Sequence, residues 1–139
     1  MAVTVYLVDK SAWARMHVPA VRDRLMPLLE RGLLATCAVV DLEILYSARN
    51  AEDHARGRSV RRGFAWLPLT DEVGERAIEV QGLLAQSGDH RRASLADLLI
   101  AATAERHGAV VLHYDADYDG IAKVTGQSVE WVVEQGSVP

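Results

Sequence analysis

The sequence predicts an α/β sandwich built around a mostly parallel central sheet, and three observations carry that reading. Short β-branched apolar runs alternate with helical stretches along the chain. Two of those runs, "VTVYLVD" and "AVVLHYD", end abruptly in a carboxylate. The stretch "LADLLIAATAERHG" is apolar almost all round, as a helix in the middle of a layered domain should be. At 139 residues, half of them hydrophobic, the chain suits one well-packed domain and is short for two.

In chain order, "VTVYLVD" (3–9) reads as a buried central strand with Asp9 at its carboxyl end. A helical stretch follows from about Ser11 to Arg31. Pro19 suits a first helical turn, Pro27 should kink or divide the helix, and Gly32 closes it. "LLATC" (33–37) fits a short strand, and 38–50 reads as a helix with Val39, Leu42, Leu45 and Tyr46 at near-helical spacing. The basic segment "AEDHARGRSVRRG" (51–63) reads either as an exposed helix or as a loop between helices. "FAWLPLT" (64–70) resembles a short edge strand, since Pro68 bars a central position. Thr70 is placed to cap a helix over about 71–87, whose Val73, Ala77, Val80 and Leu84 recur at helical spacing, and Gly88 ends it. Ser94 opens the apolar helix and Gly108 stops it. "AVVLHYD" (109–115) is a second acid-terminated strand, "YDGIAKVTG" a short helix or turn, and "SVEWVV" (128–133) a last strand. No repeat, low-complexity tract or linker is visible.

Composition excludes some functions. No apolar run approaches the roughly 20 residues that span a bilayer, and "MAVTVYLV" lacks the flanks of a signal peptide. The single cysteine, Cys37, forms no internal disulfide. Together these fit a cytoplasmic protein without a membrane partner. A net charge of −4 argues against broad non-specific nucleic-acid binding. Lys10 and Lys123 are the only lysines, so nearly all the cations are arginine. That bias suits phosphate recognition and equally follows from genome composition.

Sheets of this class present their sites beyond the carboxyl ends of the strands, where Asp9 and Asp115 sit. Two further acids lie in apolar settings: Glu43 in "AVVDLEILYSA" and Asp97 in "SLADLLIAATA". A charge inside an apolar helix is costly unless it is paired or metal-bound. Asp9, Glu43, Asp97 and the cluster at 115–119 therefore make a candidate carboxylate pocket. Packed carboxylates repel unless a hard cation neutralises them, and Mg²⁺ or Mn²⁺ is the natural partner. No Cys/His cluster favours zinc. A cation so held can bind a phosphate oxygen and lower the pKa of water, which is the chemistry of phosphodiester hydrolysis. Each acid also has a plainer role open to it. Asp97 forms a capping pair with Ser94, Asp9 can cap the next helix, Glu43 can lie on a solvated face, and Asp117 and Asp119 can shape a turn before Gly120. The five histidines, His17, His54, His90, His107 and His113, show no paired spacing for acid–base catalysis.

Four blocks, "YLVDKSAW", "VVDLEILYSAR", "LADLLIAATAERHG" and "VVLHYDADYDGIA", together resemble the PIN-domain ribonucleases, and within them the VapC toxins of toxin–antitoxin pairs. The resemblance covers essentially the whole chain and implies a PIN-like α/β/α sandwich. It implies that Asp9, Glu43, Asp97 and Asp115 form the acidic site, with Asp9, Asp97, Asp115 and Asp117 as metal ligands and Ser11 as a polar neighbour. It implies an RNA substrate, Mg²⁺ or Mn²⁺ dependence, a homodimer and a VapB-type antitoxin. Tyr118 departs from the family's more frequent phenylalanine, with little expected consequence. Attack by activated water rather than by the RNA 2′-hydroxyl would leave 5′-phosphate and 3′-hydroxyl ends.

RNA needs cations beside an acidic pocket. Arg91 and Arg92, in the loop leading to Asp97, are candidate phosphate contacts. Arg56, Arg58, Arg61 and Arg62 form a second candidate rim or an ordinary solvated face, and Trp13 and Tyr46 are either base-stacking or core and interface aromatics. Three rivals accompany this reading: a receiver-like phosphoacceptor module, in which Glu43 has no role, a catalytically slow PIN module that only binds RNA or a partner, and a DNA-directed nuclease.

Overall fold

The computed structural model describes residues 3–139. Its strands are β1 (Tyr6–Val8), β2 (Leu34–Thr36), β3 (Ala65–Trp66), β4 (Val110–His113) and β5 (Val129–Trp131). They form one sheet in the order β3-β2-β1-β4-β5, every neighbouring pair parallel. The helices are α1 (Lys10–Trp13), α2 (Pro19–Glu30), α3 (Ala38–Leu45), α4 (Ala51–Arg61), α5 (Asp71–Ala85), α6 (Leu95–Arg106) and α7 (Asp117–Thr125).

The two-residue period of a strand sorts its side chains between the faces of the sheet. Leu7 and Val111 pack with Val40, Val73, Val80, Leu98, Ile100 and Ile121, so α3, α5, α6 and α7 cover one face. Val8 and Leu112 pack instead with Val21, Leu25, Phe64 and Val132, beneath α1 and α2. Burying each such side chain contributes about 1.5–3 kcal/mol. The strands step outward from β1 through β2 to β3, then resume on the other side with β4 and β5. That reversal leaves a crevice beyond the ends of β1 and β4, where open α/β sheets bind ligands.

The caps follow the sequence closely. Thr70 Oγ1 accepts the Val73 N–H at 3.3 Å, and the buried face of α5 is Val73, Ala77, Val80 and Leu84. Other expectations are corrected. Pro27 does not divide α2, which runs on to Glu30. Leu28 and Leu29, just past the proline, pack on the same cluster as Val21 and Leu25, and that burial offsets the lost hydrogen bond. The helix predicted over 38–50 ends at Leu45, and Asn50 caps a separate α4 through the Asp53 N–H at 2.8 Å. The inner face of α3 is also misread, for Leu42 is 69% and Tyr46 88% exposed while Val40 and Asp41 are buried. Asp41 draws that face inward, accepting from Thr36 Oγ1 at 2.7 Å and Arg61 Nε at 2.9 Å.

Candidate active site

Because Val8 lies opposite Leu112, the residues after β1 and β4 emerge side by side. The Asp9 N–H donates to Leu112 O at 3.0 Å, and the Tyr114 N–H to Ser11 Oγ at 2.8 Å, tying the two strand ends together. Asp9 caps α1, its Oδ2 accepting from Ser11 N at 3.0 Å and Ser11 Oγ at 2.6 Å. Its Oδ1 accepts from the Tyr118 hydroxyl at 2.7 Å. Capping and membership of the pocket are thus compatible for Asp9. They are equally so for Asp97: Ser94 Oγ takes its backbone N–H at 3.0 Å, while the carboxylate lines the cleft.

Asp9, Ser11, Glu43, Asp97, Asp115 and Asp117 all line one cleft of about 380 Å³. Each acid comes from a different place in the chain: the end of β1, α3, the first turn of α6, the loop after β4 and the start of α7. Asp97, Asp115 and Asp117 each offer an oxygen within 4.8 Å of the others. Asp115 Oδ1 also accepts the Asp117 N–H at 2.9 Å, which sets the spacing of that pair. Asp119 stands apart from the cleft and accepts from Trp131 Nε1 at 3.1 Å; it lies in α7 rather than shaping a free turn.

Among the described residues none of these five acids has an ion-pair partner. The electrostatics reflect that. Burial, then the charges of Asp9 and Asp115, push Asp97 up to about 7. Burial and Asp9 raise Glu43, against a smaller opposing pull from Lys10. Burial and Asp115 raise Asp117. A cluster of hard oxygen donors holding excess negative charge fits a divalent cation of the Mg²⁺ type. The same cluster can hold a water against a phosphorus centre, with Asp97, pushed up to about 7, and Glu43, raised chiefly by burial, as the groups able to exchange protons.

Sequence reasoning overlooked several residues here. Lys10 and Arg15 line the cleft and are its only cations among the described residues. Tyr118 is fully buried, far from an idle replacement for phenylalanine, and burial raises its hydroxyl well above the usual phenol range. His113 is fully buried behind the cleft, where its Nδ1 accepts the Asp115 N–H at 3.1 Å. That bond assigns the neutral tautomer with the proton on Nε2, in keeping with an imidazole pushed down by burial. The alternation of "LHYDADYD" carries no signal for the Tyr118 contact, because that depends on where β1 lies, whereas the His113 contact is local to the stretch itself.

The predicted rims divide. Arg92 lines a second cavity that shares Asp117 with the cleft, whereas Arg91 lines neither. Arg61 is 2% exposed and bound to Asp41, so it is no phosphate contact. Arg58 is tied to Asp41 at 3.2 Å and Arg56 to Asp53 at 3.2 Å. Trp13 packs edge-on against Phe64, with ring centroids 5.1 Å apart, and is a core aromatic.

The PIN domain family model matches residues 6–124. Ribonuclease VapC21 of Mycobacterium tuberculosis is 51% identical over 135 residues, covering 96% of this chain and 98% of that protein. Ribonuclease VapC51 of the same species is 44% identical over 133 residues, covering 96% of each. Among solved structures, VapBC-1 from nontypeable Haemophilus influenzae superposes with a TM-score of 0.76 at 17% identity, over 94% of this chain and all of that one. VapBC2 from Rickettsia felis, bound to a DNA fragment from their promoter, gives 0.75 at 16% identity, over 91% and 98%. No helix among the described residues is long and apolar enough to cross a membrane.

Proposed function

The chain belongs to the PIN-domain family and, within it, to the VapC ribonucleases, and from that premise we propose that it is the toxin of a toxin–antitoxin pair, an endoribonuclease dependent on Mg²⁺ or Mn²⁺. The observation that carries the reading is the convergence of five unpaired carboxylates from separate elements in one open cleft. Asp97, Asp115 and Asp117 are the direct ligands, with Asp9 contributing through its one uncommitted lone pair. The cation, when bound, supplies Lewis acidity to a phosphate oxygen and to the attacking water. Glu43 then takes the proton released by that water, and Ser11 holds Asp9 in position for the reaction. The scissile strand is held by Arg92 and by Lys10 at the cleft edge, and the intact set of acids supports turnover over a binding-only module. Family membership supports a homodimer and a VapB-type antitoxin that occludes the cleft.

End-labelled cleavage of total RNA by the purified chain tests this, with Mg²⁺, Mn²⁺ or EDTA and with Asp97→Asn alongside. Discrete metal-dependent cuts bearing 5′-phosphate and 3′-hydroxyl ends are expected, and Asp97→Asn should abolish them while the protein stays folded. Cutting that persists in EDTA, or ends bearing 2′,3′-cyclic phosphate, would overturn the mechanism.

A further inference from the structure

Beside the carboxylate cleft lies a larger cavity, about 580 Å³, between the end of α5, the loop at 86–94 and α7. Its floor is aliphatic, made by Leu84, Ile121 and Val124. Its rim carries two cations, Arg92 and Lys123, and Asp117 forms a wall common to cavity and cleft. Arg92 is largely exposed and pairs with Asp89 at 3.2 Å, while Ser87 Oγ donates to Asp89 at 3.1 Å. Such an exposed pair is weak, so the guanidinium can exchange its carboxylate for a phosphate. Lys123 is exposed and has no ion-pair partner among the described residues.

One backbone choice keeps this space open. Gly120 lies inside α7, where glycine is a poor helix former, yet it has no positive φ and a Cβ there would meet nothing within 4 Å. No turn and no close backbone approach accounts for it. What it does is leave the cavity wall bare.

From this we infer that the cavity is a nucleoside subsite: it receives the base and sugar of an RNA nucleotide beside the scissile phosphate, while Arg92 and Lys123 take that nucleotide's flanking phosphates. An apolar floor ringed by a few converging polar groups is the usual form of a small-ligand site. Continuity with the cleft through Asp117 selects a nucleotide as occupant, since whatever strand lies over the acids must pass this opening. The two cations supply the attraction that a cleft crowded with carboxylates cannot. The inference rests on the ribonuclease reading and gives it a place where sequence preference is exerted.

Gly120→Leu is the direct test, because it places a side chain on the bare cavity wall and also favours the helix. The probe is a fluorescein-labelled single-stranded RNA pool of mixed sequence, titrated in EDTA against the full chain and followed by anisotropy. Gly120→Leu should weaken binding by about tenfold or more, with an unchanged or higher thermal midpoint, while Gly120→Ala stays near the parent. Arg92→Ala with Lys123→Ala should reduce the slope of log affinity against log salt by roughly 1.4. Full affinity in Gly120→Leu, or an unchanged salt slope, would overturn the subsite, as would a parent protein that does not bind the pool. Cleavage with Mg²⁺ is scored separately. Binding lost in Gly120→Leu with no cutting by the parent upholds the subsite and removes the ribonuclease. Unchanged RNA binding with loss of self-association on sedimentation would reassign the cavity to a second copy of the chain.

Discussion

A carboxylate presents about four lone-pair sites, and three of those on Asp9 are already engaged inside the protein. Ser11 N and Oγ occupy Oδ2, and the Tyr118 hydroxyl occupies one side of Oδ1. Asp9 is therefore held rigidly and offers a cation one oxygen, whereas Asp97, Asp115 and Asp117 bring theirs together more freely. Tyr118→Phe separates these roles, because the ring keeps its place and only the donor is lost. Leaving a buried carboxylate oxygen without its partner should cost about 1–3 kcal/mol in EDTA. The loss should shrink under saturating Mn²⁺, since a cation can use the lone pair set free. Urea unfolding with and without Mn²⁺ reads both numbers. Equal stability of the two proteins in EDTA would mean that the hydroxyl contributes nothing to holding Asp9.

At the scale of elements, α4 shows what a charge run conceals. The sequence "HARGRSVRRG" offers its arginines as one solvated group, yet Arg61 enters the core. Its Nε donates to Asp41, its Nη2 to Thr36 Oγ1 at 3.0 Å, and its guanidinium lies 4.2 Å from the Phe64 ring centroid. This ion pair fastens α4 to both α3 and β2. Arg61→Met should cost about 3 kcal/mol or more, because Asp41 remains buried with the half-exposed Arg58 as its one remaining charged partner among the described residues. RNA affinity per folded molecule should not change, and a folded Arg61→Met protein that loses RNA binding would restore Arg61 to the substrate rim. The contrast with α5 explains which elements were legible. Every inward position of α5 is apolar, so spacing alone found its face. In α3 the inward set includes Asp41, and the outward set includes Leu42 and Tyr46; that inversion is set by Arg61, twenty residues away, which no local pattern contains. The four acids of the resemblance were legible for the opposite reason: carboxylates in apolar surroundings have few other uses. The Tyr118 contact was not, since it needs the β1–β4 register to exist, and the His113 bond was not, since it needs the backbone bend that follows β4.

Across the whole molecule, five acids gathered in one cleft of a chain with net charge −4 make stability depend on pH and on the cation together. The folded state raises Asp97 from 3.8 to about 7, so between those values it retains a proton that the unfolded chain has released. Stability of the cation-free protein must then fall as pH rises through that window, by at most about 4 kcal/mol once Asp97 is fully ionised. Glu43 and Asp117, also raised, act in the same direction. His113 opposes them, because its lowered pKa makes the unfolded state bind the extra proton and stability rise with pH toward 6.5. The fall should therefore emerge from about pH 6.5, where His113 no longer opposes it, as the last part of the Asp97 loss, and level off above about pH 7 once Asp97 is ionised in both states. A divalent cation reverses it, since binding requires the ionised carboxylates and stabilises only the folded chain. Urea midpoints in EDTA should drop across pH 6.5–8, the drop should be largely absent in Mg²⁺, and Asp97→Asn should flatten the EDTA curve while giving up most of the gain from Mg²⁺. A midpoint that rises across this range in EDTA would mean that the cleft acids are ionised and already compensated within the protein, and the case for a cation as their partner would fail.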